Sequence, residues 1–153
     1  MTYFRGFFTV GIMMFAIAST AHSQPAKLDP GFLGMWSLDV GKSDFAGQPK
    51  PRMGQVNWGE HGWSFALVLA NGEMFTDGIQ TDHDCIYIGV SPLSCGYEVI
   101  TPRHVRLTMK HGTTVIRVGE IELLDDGTTR TTHRVTPSDG APYVEKTIWV
   151  RRK

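Results

Sequence analysis

Alternation of apolar and polar residues is the dominant pattern along this chain. In residues 104–110, Val105, Leu107 and Met109 alternate with polar or charged side chains. Successive side chains on a strand point to opposite faces, so this alternation predicts a half-buried strand. Helical periodicity is sustained nowhere in the chain. The pattern therefore predicts an all-β protein.

Turn signals divide the chain into short strands. Asn71-Gly72 is the strongest of them, because both central positions of a type I′ turn require positive φ. The pattern predicts nine or ten strands, at residues 33–38, 53–58, 63–69, 73–80, 85–90, 97–100, 104–110, 113–124, 128–136 and 143–151. Strands linked mainly by hairpins close most simply as an antiparallel up-and-down barrel, here of about 8–10 strands.

Two segments depart from this regular pattern. Residues 41–51 are rich in Gly, Pro and Lys and predict a long surface loop. Within 113–124, Ile116 and Val118 share one phase, whereas Ile121 and Leu123 share the other. The change falls at Gly119, which predicts a bulge or bend there.

Residues 1–23 have the layout of a secretory signal peptide, with a basic start, an apolar centre and small residues before Ser23. We expect cleavage after Ser23, with cleavage after Ala21 as the alternative. The apolar run is shorter than the roughly 20 residues of a membrane span. These features predict a periplasmic or secreted protein without a membrane span, with a linker at 24–32 and one barrel domain at 33–153.

The net charge and the spacing of possible metal ligands argue against nucleic acid and metal ions as partners. Without the leader, 14 basic and 15 acidic residues remain, a net charge of −1 that gives no electrostatic case for nucleic acid. Asp82-His83-Asp84 has metal-binding side chains, but neighbouring residues on a strand cannot converge without a turn. We expect no metal and no cofactor, and the oligomeric state stays open.

Cys85 and Cys95 both lie in the part expected to be exported, where an oxidising compartment favours their pairing. Nine residues separate them. A bridge over so short a loop would stabilise the fold by roughly 2.5 to 3 kcal/mol.

The N-terminal strand carries a family signature. Gly34-Met35-Trp36 resembles the Gly-x-Trp motif of lipocalins and other calycins, and 34–39 with Lys42-Ser43 resembles the start of small exported bacterial lipocalin-like proteins. The Asn71-Gly72 hairpin and the aromatic-basic strand at 148–152 extend the likeness. The resemblance implies a lipocalin-like barrel in which Gly34 and Trp36 are structural, with Trp36 packed against Arg151 or Arg152. Most members of that group have no assigned activity.

The last two predicted strands carry the candidate chemistry. Thr129, Thr131 and His133 share one face of 128–136, and Tyr143, Glu145, Thr147 and Trp149 share one face of 143–151. If these faces line the barrel, His133, Glu145, Tyr143 and Arg117 can converge as acid-base groups. Solvated polar faces are the usual arrangement in antiparallel sheets, which favours the opposite orientation.

Three functions stay open. The first is binding of a small, largely apolar or aromatic molecule in the lumen. Its candidate contacts are Trp63, Phe65, Leu67, Met74, Phe75, His133, Tyr143 and Trp149. The second is a cofactor-free isomerase or lyase that uses His133, Glu145 or Tyr143 as proton carriers. The third is an envelope structural or interaction module with a filled barrel.

Overall fold

The computed structural model describes residues 27–80, 86–87 and 93–153. A short 3-10 helix at Pro30–Phe32 precedes ten strands. These are β1 (Gly34–Asp44), β2 (Met53–Gly59), β3 (Gly62–Val68), β4 (Met74–Gln80), β5 (Ile86–Tyr87), β6 (Leu93–Thr101), β7 (His104–His111), β8 (Thr114–Leu123), β9 (Thr129–Val135) and β10 (Tyr143–Arg151).

Within the described residues, the ten strands form one antiparallel sheet with the order β5-β4-β3-β2-β1-β10-β9-β8-β7-β6. Each strand pairs with its neighbour in sequence, except that β5 and β6 end the order and β1 pairs with β10. This curled sheet has an up-and-down, barrel-like arrangement. The predicted all-β fold class is confirmed.

Alternating side chains decide which face of each strand is inside. On β7, Val105, Leu107 and Met109 are buried and belong to the core. Arg106 and Thr108, in the opposite phase, are not part of that core. Burial of the apolar face therefore fixes the register of the strand, because a slip of one residue would expose it.

Aromatic side chains of the 3-10 helix, β2 and β3 pack together in the core and form an aromatic cluster. Phe32 is fully buried and its ring lies 5.3 Å from that of Trp58. Trp58 stacks on Trp63 with ring centroids 4.5 Å apart. Stacked and tilted ring pairs of this kind stabilise a core beyond the area they bury.

The segment before β1 is part of this aromatic cluster. Asp29 caps the 3-10 helix by accepting a hydrogen bond from the Gly31 amide, and Phe32 is buried. The barrel therefore includes the end of the segment expected to be a linker. Gly34 follows with φ of 116°, a conformation that favours glycine at the start of β1.

Trp36 has Arg151 as its basic partner. The Arg151 guanidinium carbon lies 4.7 Å from the ring centroid of buried Trp36. Arg151 also donates hydrogen bonds to the carbonyls of Leu33 and Gly31. The choice between Arg151 and Arg152 that the resemblance left open is thus resolved in favour of Arg151.

The predicted loop at 41–51 is shorter in the structure, because β1 continues to Asp44. The Ser43 hydroxyl donates to the Asp39 carbonyl and accepts a hydrogen bond from the Ile148 amide on β10. These bonds span the register shift between β1 and β10 and keep the strand attached. Phe45 then turns inward and is buried.

The bulge predicted at Gly119 lies elsewhere. Met109 pairs with Arg117 and Lys110 pairs with Val115, so Ile116 is the extra residue on β8. Gly119 keeps regular pairs with Leu107 and His133. The prediction was wrong because the glycine provides space for a neighbouring side chain, as the candidate site shows.

Candidate functional site

The curled sheet forms an open cavity of about 270 Å³ that is lined by two chemically different walls. The aromatic wall consists of apolar side chains from β2, β3 and β4, namely Val56, Trp58, Trp63, Phe65, Leu67, Phe75 and Ile79. The polar wall consists of side chains from β8, β9 and β10, namely Arg117, Thr129, Thr131, His133, Glu145, Thr147 and Trp149.

The polar faces of β9 and β10 point inward. Thr129, Thr131 and Thr147 are buried, whereas Val144 and Val150 of the opposite phase are 45% and 39% exposed. The expectation that these polar faces are solvated was wrong. One physical reason lies in their partners: the Thr147 hydroxyl accepts a hydrogen bond from the Trp149 indole at 3.0 Å, and charged groups pair nearby.

Three side chains from adjacent strands form a hydrogen-bonded trio. His133 Nδ1 lies 2.9 Å from Glu145 Oε1, and Arg117 Nη2 donates to the same oxygen at 3.0 Å. His133 and Glu145 are directly opposite each other on β9 and β10. Their side chains are only 21% and 14% exposed. A carboxylate is thus held inside the barrel by two donors.

Electrostatics determines the charge of each member. Burial alone would raise the pKa of Glu145, but the His133 hydrogen bond and the Arg117 charge outweigh it and lower the pKa. Burial lowers the pKa of His133, and the Arg117 charge adds to this against the influence of Glu145. At neutral pH we therefore expect an ionised Glu145 and a neutral His133.

The hydrogen bond also fixes the tautomer of His133. An ionised carboxylate only accepts hydrogen bonds, so Nδ1 carries the proton and Nε2 of the neutral ring keeps its lone pair. A histidine oriented by a carboxylate in this way is suited to proton transfer.

Gly119 makes room for the His133 ring. A Cβ atom added at Gly119 would lie 2.9 Å from His133 Cδ2 and 3.1 Å from Nε2. The imidazole therefore occupies the side-chain space of the neighbouring strand while Nδ1 reaches toward β10. A larger residue at 119 would push the ring away from Glu145.

Six of the eight residues predicted to contact a ligand line the cavity: Trp63, Phe65, Leu67, Phe75, His133 and Trp149. Met74 and Tyr143 do not belong to its lining. Met74 has the outward phase of β4 and is 70% exposed. Tyr143 has the inward phase, but it pairs with Val135 at the first position of β10, two residues from Glu145.

The sequence pattern missed the contribution of residues 45–51. Phe45, Gln48, Pro49 and Pro51 line the cavity, although their segment has the composition of a surface loop. The single apolar aromatic in that polar stretch, Phe45, is the signal that could have revealed it. Asp77 was also missed. It is buried on β4 between inward-facing Phe75 and Ile79, and burial raises its pKa.

Several predictions concern residues outside the described part of the chain. These are the signal peptide at 1–23, Asp82-His83-Asp84, and Cys85 of the predicted disulfide. Among the described residues, no three His, Cys, Asp or Glu side chains are grouped so that they could hold a metal ion. The described residues also contain no helix of the length and apolar character that crossing a bilayer requires.

Neither the protein-family models, nor the curated proteins, nor the solved structures gave a match to this chain.

Proposed function

We propose that this protein binds a small, largely apolar or aromatic molecule in the lumen of its barrel. The observation that carries the proposal is the 270 Å³ cavity, whose lining combines the aromatic wall with the polar wall. Apolar surface contributes most of the binding free energy in such cavities, while a few polar groups fix orientation. The open space favours this function over the alternative of a filled structural barrel.

The experiment is a titration of the protein with a hydrophobic fluorescent probe. Tryptophan emission is the readout, because Trp63 and Trp149 line the cavity. Phe75 and Met74 provide a matched pair of variants on one strand, the first lining the cavity and the second facing out. We expect Phe75→Ala to weaken binding about tenfold, which corresponds to about 1.4 kcal/mol, and Met74→Ala to change it less than about twofold. Equal effects of the two variants, or no saturation, would contradict binding in the lumen.

The proposal includes export and the lipocalin-like family. The resemblance of Gly34-Met35-Trp36 and the layout of residues 1–23 support both. N-terminal sequencing of protein purified from the periplasm or the medium tests the export, with a mature chain beginning at Gln24 as the expected result. An uncleaved chain in the cytoplasm would contradict it.

Proton transfer is a second candidate function, favoured by the 2.9 Å contact between His133 Nδ1 and Glu145. In a cofactor-free isomerase or lyase, His133 Nε2 would take a proton from a carbon next to a carbonyl group. Deuterium exchange into small ketones, followed by NMR, tests this function. We expect His133→Gln to abolish protein-dependent exchange, and exchange that survives in this variant would exclude His133 as the base.

A further inference from the structure

One oxygen of the Glu145 carboxylate takes no part in the bonds to His133 and Arg117. Both hydrogen bonds that Glu145 accepts from His133 and Arg117 end on Oε1. A carboxylate has about four lone-pair sites, so Oε2 keeps its capacity to accept hydrogen bonds. Within the described residues, Oε2 takes part in neither of these bonds, and Glu145 lines the cavity. A donor group of a bound molecule is the partner that this oxygen can still take.

The charge of the cavity wall selects a neutral molecule. Arg117 and Glu145 carry opposite charges and lie 3.0 Å apart. Burial lowers the pKa of His133, so we expect a neutral imidazole beside them at pH 7. Asp77 on β4 is buried at an inward-facing position but does not belong to the cavity lining. An anionic ligand group would approach the Glu145 carboxylate, and a cationic one would approach the Arg117 guanidinium. Each would add an unpaired charge to a neutral pair, which is costly away from water.

The two walls also restrict the shape of the ligand. The aromatic wall presents Phe65 and Phe75, whose ring centroids lie 5.7 Å apart. On the polar wall, the Thr131 and Thr147 side chains are opposite each other, next to the His133 and Glu145 pair. A flat ring system lies well against such aromatic side chains. A polar group on its edge would then reach the trio.

From these observations we propose that the ligand is a neutral aromatic molecule with a hydrogen-bond donor on its edge, such as a phenolic hydroxyl, which donates to Glu145 Oε2. This inference rests on the proposed binding in the lumen and names its ligand class. The hydroxyl oxygen can in turn accept a hydrogen bond from Arg117. A ligand of this class completes the hydrogen bonding of the carboxylate without changing the net charge of the site.

Three compounds with one ring system separate the possibilities. 2-Naphthol carries the donor, 2-methoxynaphthalene keeps the oxygen without the donor, and 2-naphthoate carries a negative charge. Their dissociation constants are measured at pH 7 by tryptophan fluorescence and by calorimetry. We expect 2-naphthol to bind at least about tenfold more tightly than either of the others, because a hydrogen bond to a charged group is lost without the donor.

Two variants locate the donor contact. Glu145→Met is expected to reduce the preference for 2-naphthol over 2-methoxynaphthalene to less than about threefold. Glu122→Gln is the matched control, because Glu122 is an outward carboxylate that pairs with Arg130 on the same sheet. We expect this control to keep the full preference. The comparison among ligands on the unmodified protein also tests the inference if Glu145→Met does not fold.

Each outcome has a separate meaning. Equal affinity for 2-naphthol and 2-methoxynaphthalene would overturn the ligand class and leave binding in the lumen intact. Tightest binding of 2-naphthoate would overturn it in favour of an anion site at Arg117. If none of the three compounds and no hydrophobic probe saturates, the proposed function fails and this inference fails with it.

Discussion

Replacing Gly119 by alanine tests whether the space beside His133 holds the trio together. The new Cβ would lie 2.9 Å from His133 Cδ2, closer than carbon atoms pack, and the strand backbone on β8 cannot retreat without breaking its regular pairs. The ring must therefore rotate away, which removes the 2.9 Å hydrogen bond from Nδ1 to Glu145. Arg117 alone would then compensate the buried carboxylate.

The size of the effect follows from two opposing contributions. Loss of a hydrogen bond to a charged group costs about 1.5 to 3 kcal/mol. Alanine in place of glycine within a strand stabilises by about 0.5 to 1 kcal/mol. We therefore expect Gly119→Ala to lower the free energy of unfolding by about 1 to 2 kcal/mol. Urea unfolding followed by tryptophan fluorescence measures this difference.

Gly96 supplies the matched control. It lies within β6, and a Cβ atom there would have its nearest neighbour, Thr108 Cβ, at 3.9 Å. We expect Gly96→Ala to be neutral or slightly stabilising. A double-mutant cycle with His133→Ala adds a second check, since the cost of Gly119→Ala should largely disappear once the ring is removed. Equal stability of the Gly119→Ala and Gly96→Ala proteins would refute the reasoning.

Three further predictions concern stability. Arg151→Ala should lower the free energy of unfolding by about 1 to 2 kcal/mol, because it removes the contact with Trp36 and the hydrogen bonds to Leu33 and Gly31. In the same urea assay, Arg152→Ala should change this free energy by less than about 0.5 kcal/mol. Folding lowers the pKa values of both His133 and Glu145, so the unfolded chain binds more protons at acidic pH. The free energy of unfolding should therefore fall as the pH decreases below about 6.5, where His133 of the unfolded chain gains a proton, and again below about 4.3, where Glu145 does. His133→Gln should remove the first of these decreases, and a pH profile identical to that of the unmodified protein would contradict this account. Reduction with dithiothreitol should lower stability by roughly 2.5 to 3 kcal/mol if Cys85 and Cys95 pair, and a Cys85→Ser/Cys95→Ser protein should be insensitive to the reductant.

Local patterns were sufficient to predict the strands. The predicted strand at 143–151 has the same bounds as β10, and the strand predicted at 104–110 lies within one residue of β7. Both have clear alternation; Ser138-Asp139-Gly140 precedes the first, and His111-Gly112 follows the second. In contrast, β6 begins at Leu93 and not at the predicted residue 97, and Leu93 pairs with His111. The prediction began the strand too late because Ser91-Pro92-Leu93-Ser94 has the composition of a turn.

Which face of each strand points into the cavity could not be predicted by considering one strand at a time. Thr131 and His133 are as polar as many solvated positions, and only the hydrogen bonds across β8, β9 and β10 make their burial favourable. The role of Gly119 has the same origin. A glycine that bends a strand and a glycine that admits a neighbouring ring look alike in the sequence, and the difference depends on which residue is opposite.

Pairing of β1 with β10 places the beginning and the end of the barrel side by side, with Trp36 opposite Arg151. Because these two strands are adjacent, we expect a circularly permuted chain to fold into the same sheet. A short linker from Lys153 to Asp29, with new termini in the Asn71-Gly72 hairpin, would retain every ladder of the sheet. Exposed hairpin tips tolerate new termini well. The permuted chain would contain the same strands in a different sequence order. The architecture therefore depends on which strands are neighbours in the sheet and not on which strand is synthesised first.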